Sequence, residues 1–182
     1  MTARPPAELG RVIDAQTLRM ERTLKAPIDK VWSFLVDPAK RARWLPGGTA
    51  PAQAGDCIDL RFDNDKLSSE KVPPKLQEFG GTHLTQCRIL RIEPPRLLVM
   101  TFQEGSPNAS EVSFELTPRG EHTHLTLVHS KLAQRSTMLN VAGGWHTHLD
   151  TLEDVLAERT PRAFWTHFGE RREAYDRIIP RD

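Results

Sequence analysis

Apolar residues fall at alternate positions from Thr17 to Lys25, where Leu18, Met20, Arg22 and Leu24 share one face, and this period predicts a strand. The period then lengthens. Val31, Trp32, Leu35 and Val36 recur at helical spacing after Pro27, which suits a first helical turn. Pro38 is expected to interrupt that helix, with a shorter one over Arg41–Leu45 that Pro46-Gly47-Gly48 stops. Alternation returns over Asp56–Phe62, His83–Ile92 and Leu97–Phe102, the last two parted by Pro94-Pro95. Residues 63–81, polar and rich in breakers, read as a long loop.

Glu111–Thr117 and His122–Ser130 predict a hairpin. With Arg119-Gly120 as its turn, Leu116 faces Thr123, Phe114 faces Leu125 and Val112 faces Leu127, while Glu115 meets His124 on the outer side. Met138 to about Glu158 has helical period, and Pro161 breaks it. The segment 162–179, with Phe164, Trp165, Phe168 and Tyr175, reads as a final amphipathic helix. Three parts are expected: an N-terminal arm at 1–16, a domain at 17–158 and a helical extension at 159–182.

The stretch "GGWHTHLDTLEDVLAE" at 143–158 holds the densest candidate chemistry. On a helix, Met138, Val141, Trp145, Leu149, Leu152 and Leu156 form a narrow apolar stripe, and Asp150 and Asp154 are expected to point the other way, into water. His146 and His148 stand about 160° apart on that wheel, so no single metal takes both; helical metal pairs sit three or four residues apart. His148 falls at the stripe's edge, a border histidine with one ring nitrogen bonded. Gly143-Gly144 inside a helix costs roughly 1–2 kcal/mol relative to alanines, which calls for close packing against strands, a bend, or room for a ligand.

Composition narrows the classes. The 182 residues carry 25 basic and 24 acidic side chains, a net charge of +1, so there is no basic excess for nucleic acid. No apolar run approaches a membrane span, and the first residues lack the apolar core of a secretory signal. Cys57 and Cys87 fit no ligand pattern, so two reduced thiols and a cytoplasmic setting are expected. Nucleophile-elbow, phosphate-loop, dinucleotide and H-E-x-x-H motifs are missing from the sequence. His122 and His124 share a strand face that the hairpin turns outward, a surface arrangement rather than a metal site. No metal and no organic cofactor are expected.

The element order, together with "AP-x-x-x-VW" at 26–32 and "GW-x-x-x-L-x-x-L" at 144–152, resembles the START-like, or SRPBCC, superfamily. Within it, the chain is similar over about 17–158 to the branch named after activators of the heat-shock-protein-90 ATPase, and the aromatic-led trailing helix looks like that of bacterial members. The resemblance implies an α+β helix-grip fold: a curved antiparallel sheet around a long C-terminal helix, with an apolar cavity between. It implies cavity positions on the helix at Met138, Val141, Trp145, His148, Leu149 and Leu152. On the strands it implies Leu60, Phe62, Leu98, Met100, Phe102, Phe114, Leu125, Leu127 and His129. The separate N-terminal domain of the eukaryotic activators, with its "NNWHW"-type motif, has no counterpart here, so the chaperone role does not transfer with the name.

The expected role is to bind an apolar or amphipathic small molecule. A chaperone-linked interaction module is the alternative, and a cyclase-like enzyme using His129 and His148 as an acid–base pair comes third. A homodimer or a chaperone partner stays open. The fold hosts carriers, receptors and cyclases alike, so site geometry has to choose.

Overall fold

A computed structural model of the chain describes residues 8–181. Of the expected N-terminal arm, residues 1–7 lie outside the described residues. Within the rest, β1 (Arg11–Asp14) joins the sheet and pairs antiparallel with β2 (Thr17–Leu24), Val12 opposite Leu18. Helix α1 (Ile28–Val36) follows Pro27 and buries Val31, Trp32, Phe34 and Leu35. Pro38 starts the next helix rather than merely ending this one. In α2 (Pro38–Arg41) it occupies the first turn, where a missing N–H costs nothing, and the Asp37 carboxylate accepts the N–H groups of Ala39 and Lys40. The short helix therefore lies a turn earlier than the expected Arg41–Leu45.

Strands β3 (Gly47–Gly48), β4 (Cys57–Asp63), β5 (Thr82–Glu93), β6 (Leu97–Phe102), β7 (Ser110–Arg119) and β8 (His122–Ser130) complete the sheet. Its order is β1-β2-β8-β7-β6-β5-β4-β3, antiparallel throughout, curved and unclosed. The β7–β8 hairpin differs from the expected register. Arg119 pairs with His122, so Gly120-Glu121 makes the turn, and Gly120 adopts φ 63°, open to glycine without steric cost. Leu116 meets Leu125, Phe114 meets Leu127 and Val112 meets His129. Each partner moves by two residues, and an even shift leaves every side chain on its expected face. Glu115 now opposes Thr126, and His124 pairs instead with Glu21 across the β2 edge at 3.1 Å.

Helix α3 (Arg135–Leu156) lies against the inner face of the sheet, where Trp145 meets the Phe114 ring edge-on at 5.5 Å. Helix α4 (Phe164–Ile178) packs on α3. That contact overturns the expectation that Asp150 and Asp154 point into water: they are 1% and 5% exposed. Leu149, Leu152 and Leu156 bury one side of α3, and α4 covers the other. The fold is thus α+β and helix-grip, with the C-terminal extension as an integral layer.

Residues 63–81 are not one open loop. Short 3₁₀ turns at Asn64–Lys66 and Pro74–Phe79 fold under α4, and Leu67, Leu76, Val72 and Phe79 join Phe164, Trp165 and Phe168 in a second apolar cluster. Cys57 is exposed and Cys87 buried, both as free thiols. Among the described residues, no helix is long and apolar enough to cross a membrane.

Candidate functional site

A cavity of about 300 Å³ opens between the sheet, α3, α4 and the 63–81 segment. The ends of β4, β6 and β8 bring Phe62, Phe102 and His129 to its wall. From α3 come Val141, Gly144, Trp145 and His148, one turn apart or adjacent across the same face. Phe164, Trp165 and Phe168 of α4 close the far side with Leu45 and Phe79. Asn64, Glu78, His83, Thr85, Gln103 and Asn140, all exposed or half-buried, complete the lining.

Of the positions implied by the family resemblance, Phe62, Phe102, His129, Val141, Trp145 and His148 stand at this wall. Leu60, Leu98, Met100, Phe114, Leu125, Leu127, Met138, Leu149 and Leu152 do not. They share the inward face, but they are buried in the main core, where other side chains fill the space beside them. Period identifies a face, not which part of that face stays uncovered. The α4 aromatics and Phe79 were missed as wall residues because their neighbours are distant in sequence. The amphipathic period of 162–179 was the available signal, but it could not say what the apolar side covers.

Rings make most of the wall. Phe62 and Phe102 meet edge-to-face at 6.1 Å, Phe102 and His129 at 5.5 Å, and His148 and Phe164 at 5.2 Å. Such edge contacts fix ring orientation beyond what area burial requires. The outer wall is held from the loop. The Ser68 hydroxyl accepts the Phe164 N–H at 3.1 Å, Glu70 accepts the Thr166 N–H at 2.9 Å, and Asp65 accepts the Trp165 indole N–H at 3.1 Å. Acidic and hydroxyl groups at a helix start satisfy N–H groups that the helix itself leaves unpaired.

The two buried cavity histidines, His129 and His148, are neutral, and their tautomers follow from their partners. Trp145 Nε1 donates to His129 Nδ1 at 2.9 Å, so the His129 proton is on Nε2, which donates to Ser110 Oγ at 2.8 Å. Burial lowers the His129 pKa to about 4. Both of its nitrogens are engaged, so at neutral pH it has no free lone pair for an acid–base pair with His148. His148 Nδ1 lies 2.7 Å from the Trp44 carbonyl, which can only accept. The proton is therefore on Nδ1, and burial again lowers the pKa to about 4. His148 Nε2 carries a lone pair. Trp44 is itself pinned by its indole N–H to the Phe34 carbonyl at 2.9 Å, so α1 and α2 set the His148 orientation.

The other side of α3 is polar but closed. Arg22 of β2, which shares the inward face of Leu18, Met20 and Leu24, reaches Asp150 at 3.4 Å and Glu153 at 3.6 Å. Arg162 bonds Asp154 at 2.8 Å and Asp150 at 3.2 Å, and His167 bonds Asp150 at 2.7 Å. Burial alone would raise the Asp150 pKa; the His146 and His167 imidazoles and the Arg22 charge outweigh it and hold the carboxyl well below the usual range.

Among solved structures, a Bordetella parapertussis protein is 41% identical with a TM-score of 0.81, covering 97% of this chain and 93% of its own. CalU16 from Micromonospora echinospora is 26% identical with a TM-score of 0.66, covering 94% of each chain. A Mesorhizobium loti protein is 25% identical with a TM-score of 0.62, covering 79% of this chain and 98% of its own. Among curated proteins no match is found. Residues 25–157 match the family described as Activator of Hsp90 ATPase homolog 1-like protein, a stretch that takes in both sequence motifs, the sheet from β3 onward and all of α3; the chain belongs to that family, within the SRPBCC superfamily.

Proposed function

We propose that this protein binds a neutral, hydrophobic or amphipathic small molecule in the cavity between sheet, α3 and α4. The observation that carries the reading is the ring-walled space of about 300 Å³ beneath Trp145, whose buried polar groups are two uncharged imidazoles. That volume is at the lower end of ligand pockets and equals about ten liquid waters. An apolar wall favours an apolar ligand by roughly 25 cal/mol per Å² removed from water. With His129 saturated, the remaining buried selector is the His148 Nε2 lone pair, which asks the ligand for one hydrogen-bond donor, a hydroxyl or an N–H. Glu78, His83 and Gln103, exposed at the lining, suit a polar end. Membership of the family is consistent with either a ligand or a chaperone partner, and the cavity favours the ligand.

Native mass spectrometry of the full chain purified from its own host tests this. The expected spectrum shows a bound small molecule that leaves on denaturation. Gly144→Leu directs its side chain into open space at the wall, so it should fold normally and lose that molecule. A wild type bearing a stable protein partner and no small molecule would replace the proposal with the chaperone-linked role. Equal occupancy in Gly144→Leu would move the ligand elsewhere.

A further inference from the structure

We propose that His146 Nε2, Asp150 Oδ2 and His167 Nε2 form a site for one divalent transition metal, zinc in the first place, that clasps α4 to α3. His146 and Asp150 are one helical turn apart and share the α4-facing side of α3, and His167 comes from α4. Asp150 Oδ2 lies 3.3 Å from His146 Nε2 and 2.7 Å from His167 Nε2. All three donor atoms fall within 4.8 Å of one another. Ligands bound at about 2.0–2.1 Å in a tetrahedron stand roughly 3.4 Å apart, so only small shifts are needed.

A second observation points the same way. His146 is 0% exposed, and its Nε2 makes no hydrogen bond. Asp150 Oδ2, 3.3 Å away, is a contact outside hydrogen-bond geometry, so this buried nitrogen calls for an explanation, and a metal supplies one. The opposite ring nitrogen, Nδ1, is 3.0 Å from the Tyr175 hydroxyl, which in turn accepts the Gly10 N–H at 2.6 Å. Outer partners of this kind orient metal-bound imidazoles. Two imidazoles and a carboxylate form a donor set that suits zinc, with a fourth position for water.

The opposing effect is positive charge. Arg162 Nη1 sits 3.2 Å from the same Asp150 oxygen. Arg162 is also held by Asp154 through Nε and Nη2 at 2.8 and 3.0 Å, so it can release Asp150 while keeping its own pair. Arg22 likewise has Glu153 within 3.6 Å. The site stands whether or not the cavity holds a ligand, but a metal there would tighten the wall made by Phe164, Trp165 and Phe168.

The test uses the full chain without an affinity tag, stripped with a chelator and titrated with Co²⁺, then Zn²⁺. The expected result is one equivalent of Co²⁺ with visible ligand-field absorption, displaced by Zn²⁺, and a Tm that rises with Zn²⁺. His167→Gln keeps an N–H donor for Asp150 and removes a ligand, so it should bind Co²⁺ at least tenfold more weakly; His124→Ala, at the exposed Glu21 pair, should bind as wild type. Should His167→Gln fail to fold, ring ¹⁵N shifts of the wild type decide: Zn²⁺ should move His146 and His167. Overturning results are no saturable Co²⁺ binding, undiminished binding by folded His167→Gln, or Zn²⁺-induced shifts confined to the other histidines.

Discussion

Gly143 and Gly144 adjoin in sequence yet answer different demands. A Cβ on Gly143 would stand 3.2 Å from Arg172 Cβ and 3.3 Å from its Cα, so this glycine lets α4 approach α3. A Cβ on Gly144 would meet nothing within 4 Å, and this glycine faces the cavity. The pair thus meets a packing demand at 143, against α4 rather than against strands, and leaves open space at 144. Alanine at 144 gains helix propensity against no obstacle, and Gly144→Ala should raise unfolding free energy by roughly 0.5–1 kcal/mol. Gly143→Ala gains the same propensity but pushes on the α4 backbone, and should lower stability instead. Urea denaturation of the two variants checks the difference in sign; equal gains would mean that α4 is not seated as described. At the same scale, His148 shows why a neighbour matters more than a residue type. Its usable nitrogen is chosen by a carbonyl 104 positions away, that of Trp44.

Among the elements, α4 carries most of the consequences. It buries the second side of α3, supplies His167 to Asp150, walls the cavity and orders the 63–81 segment through Ser68, Glu70 and Asp65. Deleting residues 160–182 removes Arg162 and His167 from a buried carboxylate and uncovers Leu67 and Leu76. Breaking a buried charge network typically costs about 3–5 kcal/mol, and lost apolar burial adds to it. The truncated chain should unfold at a much lower urea midpoint and bind an apolar dye such as ANS. An unchanged midpoint would make α4 an appended piece rather than a layer of the fold.

For the whole molecule, the buried neutral histidines couple stability to pH. His129 and His148 have folded pKa values near 4 against an ordinary 6.5. The unfolded chain takes up protons that the folded chain refuses, so stability is full above about pH 6.5 and falls as pH drops toward 4. At pH 5 the loss is roughly 2 kcal/mol for each ring. Chemical denaturation from pH 7.5 to 4.5 should show this decline, because a proton on His129 Nδ1 displaces the Trp145 indole N–H from its acceptor. A flat profile across that range would mean that the two rings are not buried as neutral species. Between pH 6.5 and 8 neither ring changes charge.

What the sequence by itself determined was local and periodic. The main strands and the longer helices, the inward face of those strands, the stripe from Met138 to Leu156 and the family motifs follow from spacing and local chemistry within short windows, whereas β1 and the short helix α2 do not. Even the hairpin turn, misplaced by one residue, left the faces correct because the shift in pairing was even. Tertiary structure decided what the second face of α3 meets. Asp150 and Asp154 look solvent-bound on an isolated helix, and only α4 turns them into a buried ionic centre with Arg22, Arg162 and His167. It likewise decided that residues 64–79 would fold under that helix, and that the cavity would lie by Phe62, Phe102 and Trp145 rather than along the whole inner face. The physical reason is the same in each case: periodicity records which way a side chain points, whereas burial and the space left unfilled depend on elements far away in the chain.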